Sequence, residues 1–553
     1  MLFTSYEFIG FLTLLVILYY LVPGRLQTLL LLAGSLAFYA FSGPANLVFL
    51  AISILSVYFC AILIGRTVQE RKAYIKEHRS EMSAAERKAY SASMKRRETI
   101  FFVIGLAANV LMLSAFKFGG SLAGWLLPLG MSFYVFTVLG YLIDVYREKY
   151  EPETSFVRFA LFASFFPQLI QGPINRYDDM ARSLYDEHRF DPKAVSYGLE
   201  RILWGYFKKL VVADRILPAV KVLIGAPDTY DGVFVFIAMV LYALQLYADF
   251  TGGIDITIGI AEMLGIGMKE NFERPFFSKN LAEYWRRWHI SLGTWFTDYV
   301  FYPVSVSGFM MKMSGACRKS LPKVFGSKAG TYLAKRTPVY ISSLAVWFLT
   351  GIWHGTGANF IVWGLLNGII LIASQELEPV YAAFHKVCPI GWKRGTYGKG
   401  DASVHFVPSR AYDGFQALRT VFITSSLRML DLYRDVPLTF KMLGTMFTRP
   451  RFERLLAAYE TETVGAYSGI PNIIETLSGI LGLSGADMAI AAIAVIIMLM
   501  VSLKQRGGSI REKLAARPAA VRYAVFGALF VLIVIFGAYG VGYDASQFIY
   551  NQF

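Results

Sequence analysis

The chain has 553 residues, of which 55% are hydrophobic and only 17% charged, against about 25% charged in an ordinary soluble domain. So large an apolar share excludes a water-soluble globule and makes lipid the solvent for much of the chain. The formal net charge of +15 does not point to nucleic acid, because the excess sits in segments between apolar runs, where membrane topology accounts for it.

Apolar cores predict membrane-embedded helices at Phe8–Val22, Leu47–Ile64, Ile100–Phe116, Phe234–Tyr247, Val339–Ile352, Phe360–Ala373, Ala489–Leu503 and Val521–Gly540. Some are shorter than a full span and suit buried or re-entrant helices. With their neighbours they predict an all-α, polytopic integral membrane protein of roughly ten to thirteen embedded helices. No basic segment precedes the first core and no small-residue cleavage site follows Pro23, so it is expected to be a helix of the protein and not a removable signal peptide.

Three linking segments carry the basic excess. Arg66–Glu98 holds ten Lys/Arg against five Glu, Met311–Arg336 seven against none, and Lys504–Arg522 six against one. The positive-inside rule places all three in the cytoplasm, which puts the N-terminus outside and, after the span from Val521, the C-terminus outside as well. Arg66–Glu98 is expected to form two short helices or a helical hairpin outside the bilayer. In Tyr197–Ile224, Glu200, Arg201, Lys208, Lys209, Asp214, Arg215 and Lys221 interrupt apolar faces; the segment reads either as interfacial helices with snorkelling cations or as a helix buried against the bundle. Gln375–Tyr412 contains Pro379, Pro389, Pro408 and a Gly-Lys-Gly run, so residues 375–412 are expected to be an irregular polar loop inserted in a single membrane domain spanning residues 1–553. Thr448–Glu475 reads as amphipathic. Cys60, Cys317 and Cys388 are far apart and odd in number, which implies neither a disulfide framework nor a metal site.

Two stretches hold the chemistry. Pro338–Ala373 contains no Asp, Glu, Lys or Arg and a single histidine, His354, set among Gly351, Gly355 and Gly357. An ionisable side chain inside an apolar span is costly and usually faces a cavity where it acts; the alternative is a histidine hydrogen-bonded between helices for packing. In Asn280–Val304, Trp285, Trp288, Leu292 and Trp295 recur at helical spacing, with Arg286 and His289 on the neighbouring face and Glu283 placed to pair with Arg287. That pattern is either an anchoring helix at the head groups or one that presents His289 to a reaction channel. Asp249 and Asp255 lie near Gly252 and Gly253 in another apolar region; Arg274, Arg286 and Arg287 are their candidate partners, and a transporter cation site is the alternative. No phosphate loop, nucleophile elbow, HExxH pair or cysteine metal site occurs.

The string ENFERPFFSKNLAEYWRRWHISLGTWFTDYVFYP, followed by FLTGIWHGTGANFIVWGLLNG, resembles the two signature regions of the membrane-bound O-acyltransferase family, in the branch with alginate O-acetyltransferases and teichoic-acid D-alanyl transferases. LPLGMSFYVFTVLGYLIDVYREK, FFPQLIQGPINRYDDM, QLYADFTGGIDITIG and the N-terminal stretch extend the likeness in the family's order from Met1 to about Gly368. The resemblance implies a central funnel or tunnel, His354 as the essential histidine and His289 as the second, with Trp353 and Trp288 as walls. Asn359, Arg286 or a backbone N–H near Gly355 are candidates for stabilising an oxyanion, and Asp249 for lining the tunnel. It further implies a bacterial plasma-membrane enzyme with no resident cofactor and no metal. The acyl donor would be a cytoplasmic thioester, either acyl-CoA or a phosphopantetheinyl carrier protein. The acyl group, most simply acetyl, would pass to an extracytoplasmic partner and a surface polysaccharide. D-alanylation of teichoic acid is the alternative within the class, and a non-enzymatic polysaccharide or lipid transporter the alternative outside it.

Overall fold

A computed structural model describes residues 1–123, 127–387, 392–396, 404–449 and 470–539. Their regular secondary structure is helical apart from one antiparallel ladder that pairs Trp392–Thr396 with Val404–Pro408. Six helices are long and apolar enough to cross a membrane by length and composition: Asn46–Glu77, Ala84–Gly119, Val233–Met263, Ala358–Glu376, Gly485–Gly507 and Ala519–Phe536. Tyr6–Leu21 and Met131–Tyr146 are shorter apolar helices. The chain divides into two compact units interleaved in sequence. One comprises Met1–Lys209, Phe250–Glu270 and the chain from Ser509; the other comprises Leu210–Asp249 and Asn271–Gly508.

In the first unit the basic segment 66–98 is not a pair of short helices. It is a hairpin made by the ends of two long ones, Asn46–Glu77 and Ala84–Ala123. At 32 and 40 residues and about 1.5 Å per residue, both exceed a hydrocarbon core of about 30 Å, so their charged ends continue beyond the apolar stretch. Ser83 and Glu86 start the second helix by reciprocal capping: the Glu86 N–H donates to Ser83 Oγ at 3.2 Å and the Ser83 N–H to Glu86 Oε2 at 2.8 Å. Arg71 ties the hairpin together through Glu98, whose side chain is fully buried, and through Glu148. Hydrogen bonds from Lys72 and Arg71 hold the Glu148 carboxyl below its ordinary range despite partial burial.

Helix Pro192–Tyr206 packs against residues 250–263 through glycines. A Cβ added at Gly198 would lie 2.4 Å from the Gly259 carbonyl oxygen, and one added at Gly205 2.6 Å from that of Gly252. Three residues after each glycine stands a charge: Arg201 and Lys208 on one side of the seam, Asp255 and Glu262 on the other. Arg201 Nε meets Asp255 Oδ1 at 2.9 Å, Lys208 Nζ meets Asp255 Oδ2 at 2.6 Å, and Arg201 also bonds Glu262 and Glu270. The close backbone approach brings these side chains together and leaves little room for water. Of the two readings of Tyr197–Ile224, burial is therefore the one observed: Glu200, Arg201, Lys208, Lys209 and Asp214 are all buried, while Lys221 is exposed. Asp255 is paired by Arg201 and Lys208, which corrects the expected partners Arg274, Arg286 and Arg287. Removing one member of such a buried set costs about 3–5 kcal/mol, because the others keep their charges without compensation.

In the second unit, segment 375–412 is more ordered than an irregular loop. Helix Glu378–Val387 opens it and the two-stranded ladder follows. Pro379 does not break that helix because it occupies the first turn, where its missing N–H has no intrahelical partner to lose. Cys388 and most of Thr448–Glu475 lie outside the described residues. Cys60 and Cys317 are unbonded.

Candidate functional site

The second unit also holds both histidines. The stretch expected as one continuous helix from Asn280 is interrupted at its centre. Helix Leu281–Arg287 begins on Asn280, whose side chain accepts from the Glu283 N–H, and it carries the expected Glu283–Arg287 pair at 2.7 Å. Trp288 is then extended, and His289 adopts a left-handed conformation with φ 49° before helix Ile290–Phe296 resumes. Few side chains other than glycine occupy that region, although histidine is among those enriched there. The break is held by Asn271–Glu273 running alongside: the Glu273 N–H donates to the Arg287 carbonyl at 2.9 Å and the Ile290 N–H to the Asn271 carbonyl at 3.0 Å. The aromatic stripe read from helical spacing therefore does not lie on one helix face. The backbone turns to place Trp288 and His289, both buried, in the interior.

Asn271 sets the chemistry of His289. Its Oδ1 accepts from the Ser291 N–H and Ser291 Oγ, each at 3.0 Å, and lies 3.2 Å from His289 Nδ1. An atom that accepts from a backbone N–H is the carbonyl oxygen of the amide, so His289 Nδ1 must be the donor and the neutral ring carries its lone pair on Nε2. His289 lies outside the six long helices, and burial with the nearby Arg428 charge lowers its imidazole to about 3. It is neutral at physiological pH.

His354 ends helix Ser327–His354, where Gly355 departs into extended backbone. That helix meets Ala358–Glu376 closely. An added Cβ at Gly351 would stand 2.5 Å from the Phe360 carbonyl oxygen, and one at Gly364 2.3 Å from that of Trp347. The contact seats His354, only 6% exposed, edge-on to Trp363 with ring centroids 4.8 Å apart. Trp353 packs on both histidines, its ring centroid 5.7 Å from that of His289 and 5.0 Å from that of His354. The two imidazoles thus share one indole as a wall, and Trp288, buried as well, adjoins His289 in sequence.

The other expected residues separate. Arg286 is exposed. Asn359 is buried and its Nδ2 donates to the Leu430 carbonyl at 3.1 Å, fixing the start of its helix against Arg410–Tyr433. The Gly355 N–H is spent on the Gly351 carbonyl at 3.1 Å. Asp249 is fully buried in helix Val233–Met263.

One residue that the sequence reading missed stands at the centre. Arg428, in helix Arg410–Tyr433 and 7% exposed, has its guanidinium 4.7 Å from the Trp363 ring, 5.4 Å from Trp288 and 5.7 Å from Trp285. Each such contact is worth about 0.5–2 kcal/mol, more when water is excluded. Trp285 is held by donating Nε1–H to Asn367 Oδ1 at 3.2 Å and packs on Trp347. The signal was present: Thr420–Leu430 contains one ionisable residue, Arg428, the same feature that singles out His354.

Comparison with known proteins adds the following. The family model for MBOAT, the membrane-bound O-acyltransferase family, matches residues 115–315. A probable alginate O-acetylase of Pseudomonas fluorescens is 32% identical over 381 residues, covering 68% of this chain and 67% of that one. Another, of Azotobacter vinelandii, is 30% identical over 71% of this chain and 72% of its own length. A peptidoglycan O-acetyltransferase of Helicobacter pylori is 28% identical over 69% and 70%.

Proposed function

This chain belongs to the membrane-bound O-acyltransferase family and is a multi-pass membrane O-acyltransferase, and we propose that it moves an acetyl group from a cytoplasmic thioester across the membrane for O-acylation of a surface polysaccharide. The observation that carries this reading is the packing of both His289 and His354 on one buried indole, Trp353, with ring centroids 5.7 and 5.0 Å away. Acetyl is favoured over D-alanyl because the relatives that cover two thirds of the chain carry O-acetyl names.

In this reading His354 takes the proton from the attacking hydroxyl. The hydroxyl oxygen bonds to the thioester carbon and the carbonyl electron pair moves to oxygen. The carbonyl then re-forms, the carbon–sulfur bond breaks, and the imidazolium gives the proton to the departing sulfur, which restores neutral His354. A histidine held neutral and weakly basic, as His289 is, suits positioning better than accepting that proton. Roughly ten to thirteen embedded helices around a funnel would connect the cytoplasmic donor, acyl-CoA or a phosphopantetheinyl carrier, to an extracytoplasmic partner that completes the transfer. Asp249 is retained as a tunnel-lining residue of this funnel.

The basic segments face the cytoplasm of a bacterial inner membrane in this proposal, with both termini outside. A cysteine placed at Ser327 in the chain is expected to resist an impermeant thiol reagent in intact cells and to react after permeabilisation. Labelling from outside would reverse the orientation and the donor side with it.

A second test concerns the donor. The purified protein is expected to turn over an acetyl thioester, and not its D-alanyl counterpart. Reversing the charges of Arg318, Lys319 and Lys323 is expected to slow turnover severalfold at low salt and little at high salt, since attraction of a phosphate-bearing donor is screened over about 8 Å at physiological ionic strength. Equal turnover at every salt concentration would leave these residues a topological role alone.

A further inference from the structure

Arg428 raises a question that the histidines do not answer. Among the described residues its guanidinium makes no hydrogen bond and no ion pair. Asp431, one helical turn on and also buried, directs its carboxylate to the Tyr242 hydroxyl, which donates at 2.6 Å. Three indole faces attract the arginine's charge, but an indole face offers no carbonyl or carboxylate oxygen to its five N–H donors. Among the described residues Asp431 is the one carboxyl whose charge bears on Arg428, and it is already engaged by Tyr242, so the guanidinium keeps hydrogen-bonding capacity for an anion that occupies the place when the protein works. The position says which anion. Arg428 lies on Trp363, the ring against which His354 packs, and on Trp288, the residue before His289. The other expected stabilisers are spent or turned away: Asn359 on Leu430, the Gly355 N–H on Gly351, and Arg286 toward the surface.

We propose that Arg428 is a further catalytic residue, the group that receives the negative charge developing on the acyl carbonyl oxygen when the hydroxyl attacks the thioester. This rests on the acyl-transfer reading above and adds the electrostatic partner that reading lacks. A guanidinium preorganised by three rings needs no reorganisation as charge develops, and it acts where water is scarce. No atom is transferred through Arg428: the carbonyl electron pair moves onto oxygen beside it and returns when the carbon–sulfur bond breaks.

The test compares wild type, Arg428→Met, Arg428→Lys and His354→Ala, purified in detergent with an acetyl thioester. Arg428→Met is expected to lower kcat by about 10²–10³-fold, the range for loss of an oxyanion donor, with donor KM within about threefold and with thermal stability lowered only modestly, because methionine keeps the packing against the rings but not their attraction for the charge. Arg428→Lys keeps the charge without the planar fork and is expected to fall between. Wild-type kcat in Arg428→Met overturns the proposal. So does a raised donor KM with unchanged kcat, which would make Arg428 a ground-state site for the donor's phosphate, or a collapse in thermal stability, which would make it structural. A binding measurement separates this from the acyl-transfer reading itself. Methylphosphonate, a small tetrahedral anion, is expected to change the tryptophan emission of wild type and of His354→Ala saturably, with at least tenfold weaker binding to Arg428→Met. No saturable change in wild type overturns the anion site whether or not the thioester is turned over.

Discussion

His354→Ala is expected to lose surface acylation and thioester turnover by at least about 10²–10⁴-fold, the contribution of a positioned general base, while membrane insertion stays at the wild-type level. The argument rests on where the ring sits. It closes helix Ser327–His354 at the Gly355 break, its edge toward Trp363 and Trp353, in a position that two glycine contacts fix and the imidazole does not. Truncation alone leaves a small cavity, so the companion variant His354→Gln, which restores polar volume but cannot accept a proton near neutral pH, carries the discrimination. Both variants inactive with near wild-type unfolding temperature places the proton on His354. An active His354→Gln makes this a packing histidine, and the base must then be sought elsewhere.

What the sequence disclosed and what it hid follow from the range of the interactions involved. The long apolar helices were legible because lipid imposes a composition over 18 or more residues, and the histidines because an ionisable group stands out against that composition. The capping at Ser83 and Glu86 and the pairing of Glu283 with Arg287 were within reach for the same reason: the partners are three or four residues apart. The helix break at His289 was not, because it is imposed by Asn271–Glu273, and local periodicity from Trp285 to Trp295 argued for continuity. The partners of Asp255 were misassigned for a related reason. Neighbouring arginines looked nearest, whereas the glycine seam of Gly198, Gly205, Gly252 and Gly259 brings Arg201 and Lys208 in from 54 and 47 positions away. Arg428 is hard to read from sequence because the likeness to the family fades near Gly368, and its uncharged surround, Thr420–Leu430, is much shorter than the run that sets off His354.

His289 should be nearly as sensitive as His354, and its backbone provides the control. His289→Ala is expected to lower turnover about 10²-fold, but alanine in a left-handed conformation costs about 1–2 kcal/mol, so part of any loss could come from the fold. His289→Gly removes the same imidazole and adopts φ 49° without that penalty, at about 0.5–1 kcal/mol in chain entropy. If the imidazole positions the reactants through Nε2, the two variants lose activity equally while glycine is at least as stable as alanine. The pH profile separates positioning from proton transfer. Burial and the Arg428 charge keep His289 neutral down to about 3, so its pKa lies far below the working range and its loss is expected to lower the rate without moving the acid limb. A base on His354 leaves that limb in place in both His289 variants. An acid limb that disappears or shifts with His289→Gly would transfer the proton-accepting role to His289, and an unfolded His289→Gly would reduce it to the hinge that Asn271 holds.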